Sequence, residues 1–192
     1  MDVYLAGKID KNDWRCSIFQ KNKACALPST KEPDMQEMLS YKVPVPDLDV
    51  NIIGPFFLSC DHGCYHGNET HGVGLGKTTC QIENKPFTPE DVSDICKYQI
   101  KERAEAVFAY INDKSCYGTL FELGYAHALD IPVIILWDNP NLKRAMWFAN
   151  ESADVSLTLN KDEKGYSISY RNKAMASQDW NWIEEFAKRI VC

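Results

Sequence analysis

Residues 106–137, AVFAYINDKSCYGTLFELGYAHALDIPVIILW, limit what this chain can fold into more than any other stretch. An apolar run, Ala106 to Ile111, leads into the polar loop Asn112 to Gly118, a short amphipathic segment and a second apolar run, Pro132 to Trp137. That order predicts strand, loop, helix, strand. Strands with no solvent face lose the alternating pattern, so two nearly uniform apolar runs flanking a helix predict a parallel sheet covered on both faces. Ligands of open sheets of this kind settle at the carboxyl ends of the strands. The loop 112–118 and the first helical turn after it, carrying Glu122, fall there. Amide dipoles favour a carboxylate early in a helix, so spacing alone explains Glu122 as well by helix stability as by function.

The rest of the chain supplies elements of the same kind. DVYLA, residues 2–6, reads as a short apolar strand ending at Gly7, and Asp13 is placed to cap a helix running to about Asn22. Pro28, Pro33, Pro44 and Pro46 make Ala26 to Asp49 an irregular excursion. Val50 to Gly54 predicts a second sheet strand. Thr88-Pro89-Glu90-Asp91 starts a helix that runs to about Ala104, with a capping hydroxyl, Pro at the first position and acids in the first turn. After Trp137 a turn at 139–141 leads to a helix from Leu142 to Asn150. Ala153 to Leu159 and Tyr166 to Tyr170 read as edge strands. Asp179 caps a last amphipathic helix in which Trp180, Ile183, Phe186, Ala187 and Ile190 recur at spacings of three and four. About five strands alternating with four or five helices predict a flavodoxin-like, Rossmann-like three-layer α/β sandwich with a mostly parallel sheet. At 192 residues the chain reads as one domain, 1–192.

Composition narrows the function classes. A net charge of −6 without a long basic cluster argues against a nucleic acid polymer as partner and for a small-molecule ligand. No apolar run reaches the ~18 residues of a membrane span, and the first ten residues carry neither a basic leader nor a cleavage site, which predicts a cytoplasmic protein with no membrane partner. In a reducing cytosol the eight scattered cysteines are expected to be thiols.

Residues 55–87 stand apart as a loop insertion rich in Gly, His and Cys, holding three of the four histidines and five of the ten glycines. Loops of that length in a compact domain are usually functional. Cys60, His62, Cys64, His66, His71 and Cys80 are zinc-ligand types, but their spacings contain no Cys-x-x-Cys and fit no standard site. We therefore expect no cofactor and no metal; a zinc ion, if held, would take Cys60, His62, Cys64 and His66. The other reading is a lid whose His62 or His66 gives a proton to a leaving group. GVGLGKTT is not a P-loop, because His71 stands where the first glycine is required.

VYLAG at the start, together with YGTLFELGYAHALDIPVIIL, resembles the nucleoside 2-deoxyribosyltransferase superfamily, which includes deoxynucleoside monophosphate N-glycosidases. The likeness covers the first strand and roughly residues 98–137, about a third of the chain. It implies an enzyme, an N-glycosyltransferase or N-glycosidase, in which Glu122 is the nucleophile or charge stabiliser and Tyr4 orients it. An oxocarbenium-like transition state explains why a carboxylate is needed beside the anomeric carbon. Substrate contacts are further expected at Gly7, Lys8, Asp113, Ser115, Cys116, Gly118 and Thr119, with a plain turn as the other reading of Gly7 and a solvated turn residue as that of Asp113. Gly7 would let the backbone approach a ligand, Asp113 would take a sugar hydroxyl, and Thr119 serves equally as helix cap or ligand contact.

The chain also departs from that pattern. Cys116 stands where the transferases carry an Asp and the monophosphate glycosidases a Ser, which tilts the expectation toward a 5′-phosphorylated substrate met by Lys8, Lys11 and Arg15. A second transferase Asp would fall near Cys96, where Asp94 is the closest acid. The family commonly assembles, so a homo-oligomer is expected, with Trp147, Phe148 and the Trp180 to Trp182 segment as candidate contacts and His127 as a packing or interface residue. Two rivals stand beside this reading: cleavage of a dinucleotide such as NAD, and a non-catalytic nucleotide-binding or zinc-stabilised interaction protein.

Overall fold

A computed structural model describes residues 1–8, 14–19, 39–40, 42–55, 81–82, 85–86, 89–160, 165–170 and 180–191. Its elements follow in the order β1 (Asp2–Gly7), α1 (Arg15–Ile18), β2 (Val43–Pro44), β3 (Asn51–Gly54), β4 (Gln81–Ile82), β5 (Lys85–Pro86), α2 (Pro89–Arg103), β6 (Ala106–Ile111), α3 (Tyr117–Ala128), β7 (Val133–Trp137), α4 (Pro140–Ala145), α5 (Trp147–Glu151), β8 (Val155–Asn160), β9 (Gly165–Tyr170) and α6 (Asn181–Val191).

Seven strands form one mixed sheet in the order β2-β3-β1-β6-β7-β8-β9. The inner five, β3 to β8, run parallel, while β2 and β9 pair antiparallel at the two edges. This corrects the expected count of about five strands. It also moves β8 from the edge, since β7 pairs with it on one side and β9 on the other. β9 takes the edge place expected of Tyr166 to Tyr170, whereas two-residue β2 carries too little apolar alternation for a sequence reading to assign it to the sheet. β4 and β5 pair as a separate small ribbon inside the stretch read as a loop.

All of β6 and β7 is buried, as uniform apolar runs require. Side chains alternate between two cores. Val3, Leu5, Phe108, Tyr110, Ile134 and Leu136 face α1 and α6. Tyr4, Ala6, Val107, Ala109, Ile135 and Trp137 face α2, α3 and α4. Helices thus cover both faces, the three-layer arrangement of a Rossmann-like α/β fold. The period of two along a strand sends Tyr4 to the α2–α3 side and its neighbours Val3 and Leu5 to the other.

Several helix boundaries differ from expectation. α1 spans four residues with Trp14 as its N-cap, and the proposed cap Asp13 lies outside the described residues, as do Thr88 and Asp179. The expected helix 142–150 is two short ones meeting at Met146, the first capped by Asn139, whose side chain accepts from the amides of Asn141 and Leu142. Among the described residues no helix is long and apolar enough to cross a membrane.

Candidate functional site

The site begins with strand parity and a bulge. β1 pairs with β3 in register at Val3–Ile52 but slips so that Tyr4 faces Gly54. A Cβ on Gly54 would lie 2.6 Å from Tyr4 Cδ2 and 2.4 Å from Gln99 Oε1, so the absence of a side chain there makes room for the phenol ring. The fully buried ring lies on the same face as α3. Its hydroxyl donates to Glu122 Oε1 at 2.5 Å, at the short end for a hydrogen bond to a carboxylate.

Glu122 lies in the second turn of α3, because the helix starts at Tyr117 rather than later, and the first turn holds no acid. Helix-start stabilisation therefore does not explain this residue. Part of Glu122 remains accessible, while its carboxyl group sits deep among protein atoms. That desolvation raises its pKa to about 7, against the opposing pull of the Tyr4 hydrogen bond and of the Arg15 charge. Tyr4 thus works in the expected sense of favouring the ionised form, but burial outweighs it. Burial, then the neighbouring Cys96 and Glu122, hold the Tyr4 phenol well above its ordinary pKa.

α2 completes the back of the site. Cys96 is buried in the same cluster as Tyr4; burial pushes its thiol up to about 12, so it is a neutral thiol. Gln99, one turn on, is fully buried beside the Tyr4 ring, with neither amide atom bonded among the described residues. Sequence reasoning passed over Cys96 and Gln99 as site residues; the available signal was their i, i+3 spacing on the helix face turned to the sheet. Asp94, by contrast, is exposed and paired with Lys97 at 2.6 Å.

At the carboxyl edge Lys8 and Asp113 meet at 3.1 Å. Asp113 Oδ1 also accepts from the backbone amide and the hydroxyl of Ser115, at 2.8 and 2.9 Å. These bonds, the Ser115 amide first and then Lys8, hold its carboxyl down at about 2. Asp113, Lys8 and Ser115 are thereby brought together as a loop clamp. Cys116, buried at the N-cap of α3, makes no side-chain cap bond, and burial raises its thiol pKa. Thr119 is the third helical residue and buried, so it is not the cap; Gly118 is exposed, with open space where a Cβ would sit.

Gly7 has φ +152, and a Cβ there would meet Trp14 Nε1 at 2.9 Å and the Tyr110 carbonyl at 3.1 Å. Packing within the chain therefore requires this glycine. Arg15 is fully buried rather than a surface cation, donating to the carbonyls of Leu5, Gly7 and Lys8 and lying 4.6 Å from the Trp14 ring. It braces the end of β1.

Other expected contacts divide. Trp180 and Trp182 are buried in the α6 core, which corrects their reading as contact residues, whereas Trp147 and Phe148 are 62% and 73% exposed. His127 is exposed in the last turn of α3. Lys11, Cys60, His62, Cys64, His66, His71, Lys77 and Cys80 lie outside the described residues; among those described, no cluster of three or more metal-ligand side chains occurs.

A concavity of about 430 Å³ opens on the other side of the sheet, where α6 meets the β2–β3 turn, lined by Asp47, Glu184, Glu185, Lys188 and Arg189 among others. Its Arg189 is bonded to Glu185 and to the carbonyls of Ile18 and Pro46. It shares no residue with the Tyr4–Glu122 pair. Size alone does not outweigh the coupled phenol and carboxyl on the α3 face of β1.

No family model, curated protein or solved structure matches this chain.

Proposed function

We propose that this chain is an enzyme that cleaves or transfers across the N-glycosidic bond of a nucleoside or nucleotide, as the resemblance to the nucleoside 2-deoxyribosyltransferase superfamily implies. The observation that carries the reading is the 2.5 Å bond from Tyr4 to Glu122, two residues 118 positions apart that meet where α3 packs on β1. Breaking the bond between sugar and base builds positive charge on the anomeric carbon. Glu122, ionised and aimed by Tyr4, stabilises that charge or attacks to form a glycosyl-enzyme, from which a second base or water takes the sugar. The parallel-strand order β3-β1-β6-β7-β8 supports the flavodoxin-like form of the fold, with the ligand at the β1/β6 crevice where the strand order reverses.

A 5′-phosphate fits the neutral Cys116 and the first-turn amides of α3, which the Cys116 side chain does not cap. Lys8, beside them, would exchange Asp113 for the phosphate. Assembly is part of the same reading. Tyr117, Phe121, Trp147 and Phe148 are each more than half exposed. At ~150–250 Å² per aromatic side chain, they offer roughly half of the ~800 Å² that each partner gives to a stable interface.

The test is incubation with a deoxynucleoside plus a free base, with nucleoside 5′-monophosphates and with NAD, following released base. Release from one of the first two, lost in Glu122→Ala, is the expected result. Release from NAD alone favours dinucleotide cleavage, and release that survives Glu122→Ala overturns the proposal.

A further inference from the structure

Gln99 of α2 is fully buried, and among the described residues neither atom of its carboxamide has a hydrogen-bond partner. A buried donor and acceptor left unmade are destabilising. A carboxamide kept at such a position therefore marks a place where a partner has yet to arrive.

Its surroundings identify the partner. Gly54, the last residue of β3, gives way to it: a Cβ there would lie 2.4 Å from Gln99 Oε1 and 2.6 and 2.7 Å from Tyr4 Cδ2 and Cε2. The carboxamide and one edge of the phenol ring thus share the space over a single glycine at the carboxyl end of a strand, where ligands of such sheets bind. Through its hydroxyl the same ring bonds Glu122. Tyr4 therefore has the Glu122 carboxyl at its tip and the unmade carboxamide along its side. A base joined to a sugar held at Glu122 extends across about the width of that ring.

We propose that Gln99 is a specificity-determining residue that reads the hydrogen-bonding edge of the substrate's base. The inference rests on the glycosidic reading of the Tyr4–Glu122 pair and names the part of the substrate which that reading leaves open. A carboxamide offers N–H donors and a carbonyl acceptor side by side. That pair matches the amino and ring-nitrogen edge of adenine or cytosine and, turned over, the carbonyl and N–H edge of hypoxanthine or uracil. No described residue fixes either amide atom, and the last torsion of a glutamine is soft, so both settings are open to it. The inner torsions turn the carboxamide from Gly54 toward a base beside Glu122, whose residue is partly accessible where Tyr4 and Gln99 are not. A methionine at position 99 would fill similar space and read nothing, and a glutamate would set a second carboxyl near Glu122.

The experiment is calorimetric titration of adenine, hypoxanthine, cytosine and uracil into the parent and Gln99→Met, with unsubstituted purine and pyrimidine as ring-only controls. The parent is expected to bind at least one of the four about tenfold or more tightly than the unsubstituted ring of its class. Gln99→Met is expected to erase that preference while its affinity for the unsubstituted ring holds, and Gln99→Leu to do the same. A disturbed fold would instead weaken ring and edge alike. A parent that binds none of the four, a preference that survives both substitutions, or an equal loss for substituted and unsubstituted rings overturns the proposal. Absence of base release from every nucleoside and nucleotide, with the edge preference present in the parent and lost in the variants, would remove the glycosidic reading and leave the base edge assigned to Gln99.

Discussion

The hydroxyl of Tyr4 and the carboxyl of Glu122, 118 residues apart in the chain, lie 2.5 Å from one another where α3 packs on β1. Because burial raises the pKa of Glu122 to about 7, the pair sets how the protein responds to pH. In the unfolded chain this carboxyl titrates near 4.5. The folded state therefore holds the proton more tightly, and stability present below 4.5 is lost as pH rises through 7. The loss is on the order of 3 kcal/mol. Glu122→Gln removes it, so thermal melts at pH 8 are expected to show the variant more stable than the parent, with equal or reversed order at pH 4. The proposed base-releasing reaction is expected to move the opposite way, with kcat/KM climbing to a plateau as Glu122 ionises around pH 7.

Tyr4→Phe keeps the ring and takes away the donor. Glu122 then loses the bond that favours its charge, and its midpoint is expected to rise above 7. The lost buried partner costs about 1–3 kcal/mol at pH 8, readable in urea unfolding. An unchanged midpoint would mean that the phenol does not tune the acid.

Gly54 and Gly118 make opposite predictions from the same substitution. Alanine at 54 drives a methyl against the Tyr4 ring and Gln99, and about 1–3 kcal/mol of stability should go with it, along with activity. Alanine at 118 meets open space and favours the helix by up to ~1 kcal/mol. A higher Tm combined with weaker substrate binding in Gly118→Ala would mark this helix start as a ligand contact; a higher Tm with binding intact would remove it from the site.

Gln99→Met replaces a carboxamide with two unbonded buried atoms by an apolar chain of similar length. The ligand-free protein is expected to gain about 1–3 kcal/mol. Chemical denaturation of parent and variant measures this directly, and a loss of stability would refute the unbonded carboxamide.

Lys8→Met separates the two substrate classes. Lys8 stands 3.1 Å from Asp113 with both side chains partly exposed, so its removal should leave stability within about 0.5 kcal/mol. Turnover of a nucleoside 5′-monophosphate is expected to fall at least tenfold in kcat/KM, while that of the unphosphorylated nucleoside holds. Equal losses on both would exclude a phosphate role.

How far the sequence reaches is clearest in β6 and β7. Their unbroken apolar runs could only be strands buried on both faces, and every residue of both is buried. The alternation of DVYLAG likewise put Tyr4 on the opposite side of β1 from Val3 and Leu5, and ELGYA put Glu122 on a helix beside it. These are local properties of side-chain size, polarity and period, and the chain carries them wherever it goes. Contacts between distant segments were decided only by the tertiary structure. The bulge that sets Tyr4 against Gly54 depends on strand pairing, and Cys96 joins the buried cluster around the phenol because α2 packs across β1 and β3. Arg15 reads as a cation for a substrate phosphate until β1 turns three carbonyls toward it. The pKa of Glu122 belongs to the same class, because desolvation is the work of all the neighbours at once, and no run of residues contains it.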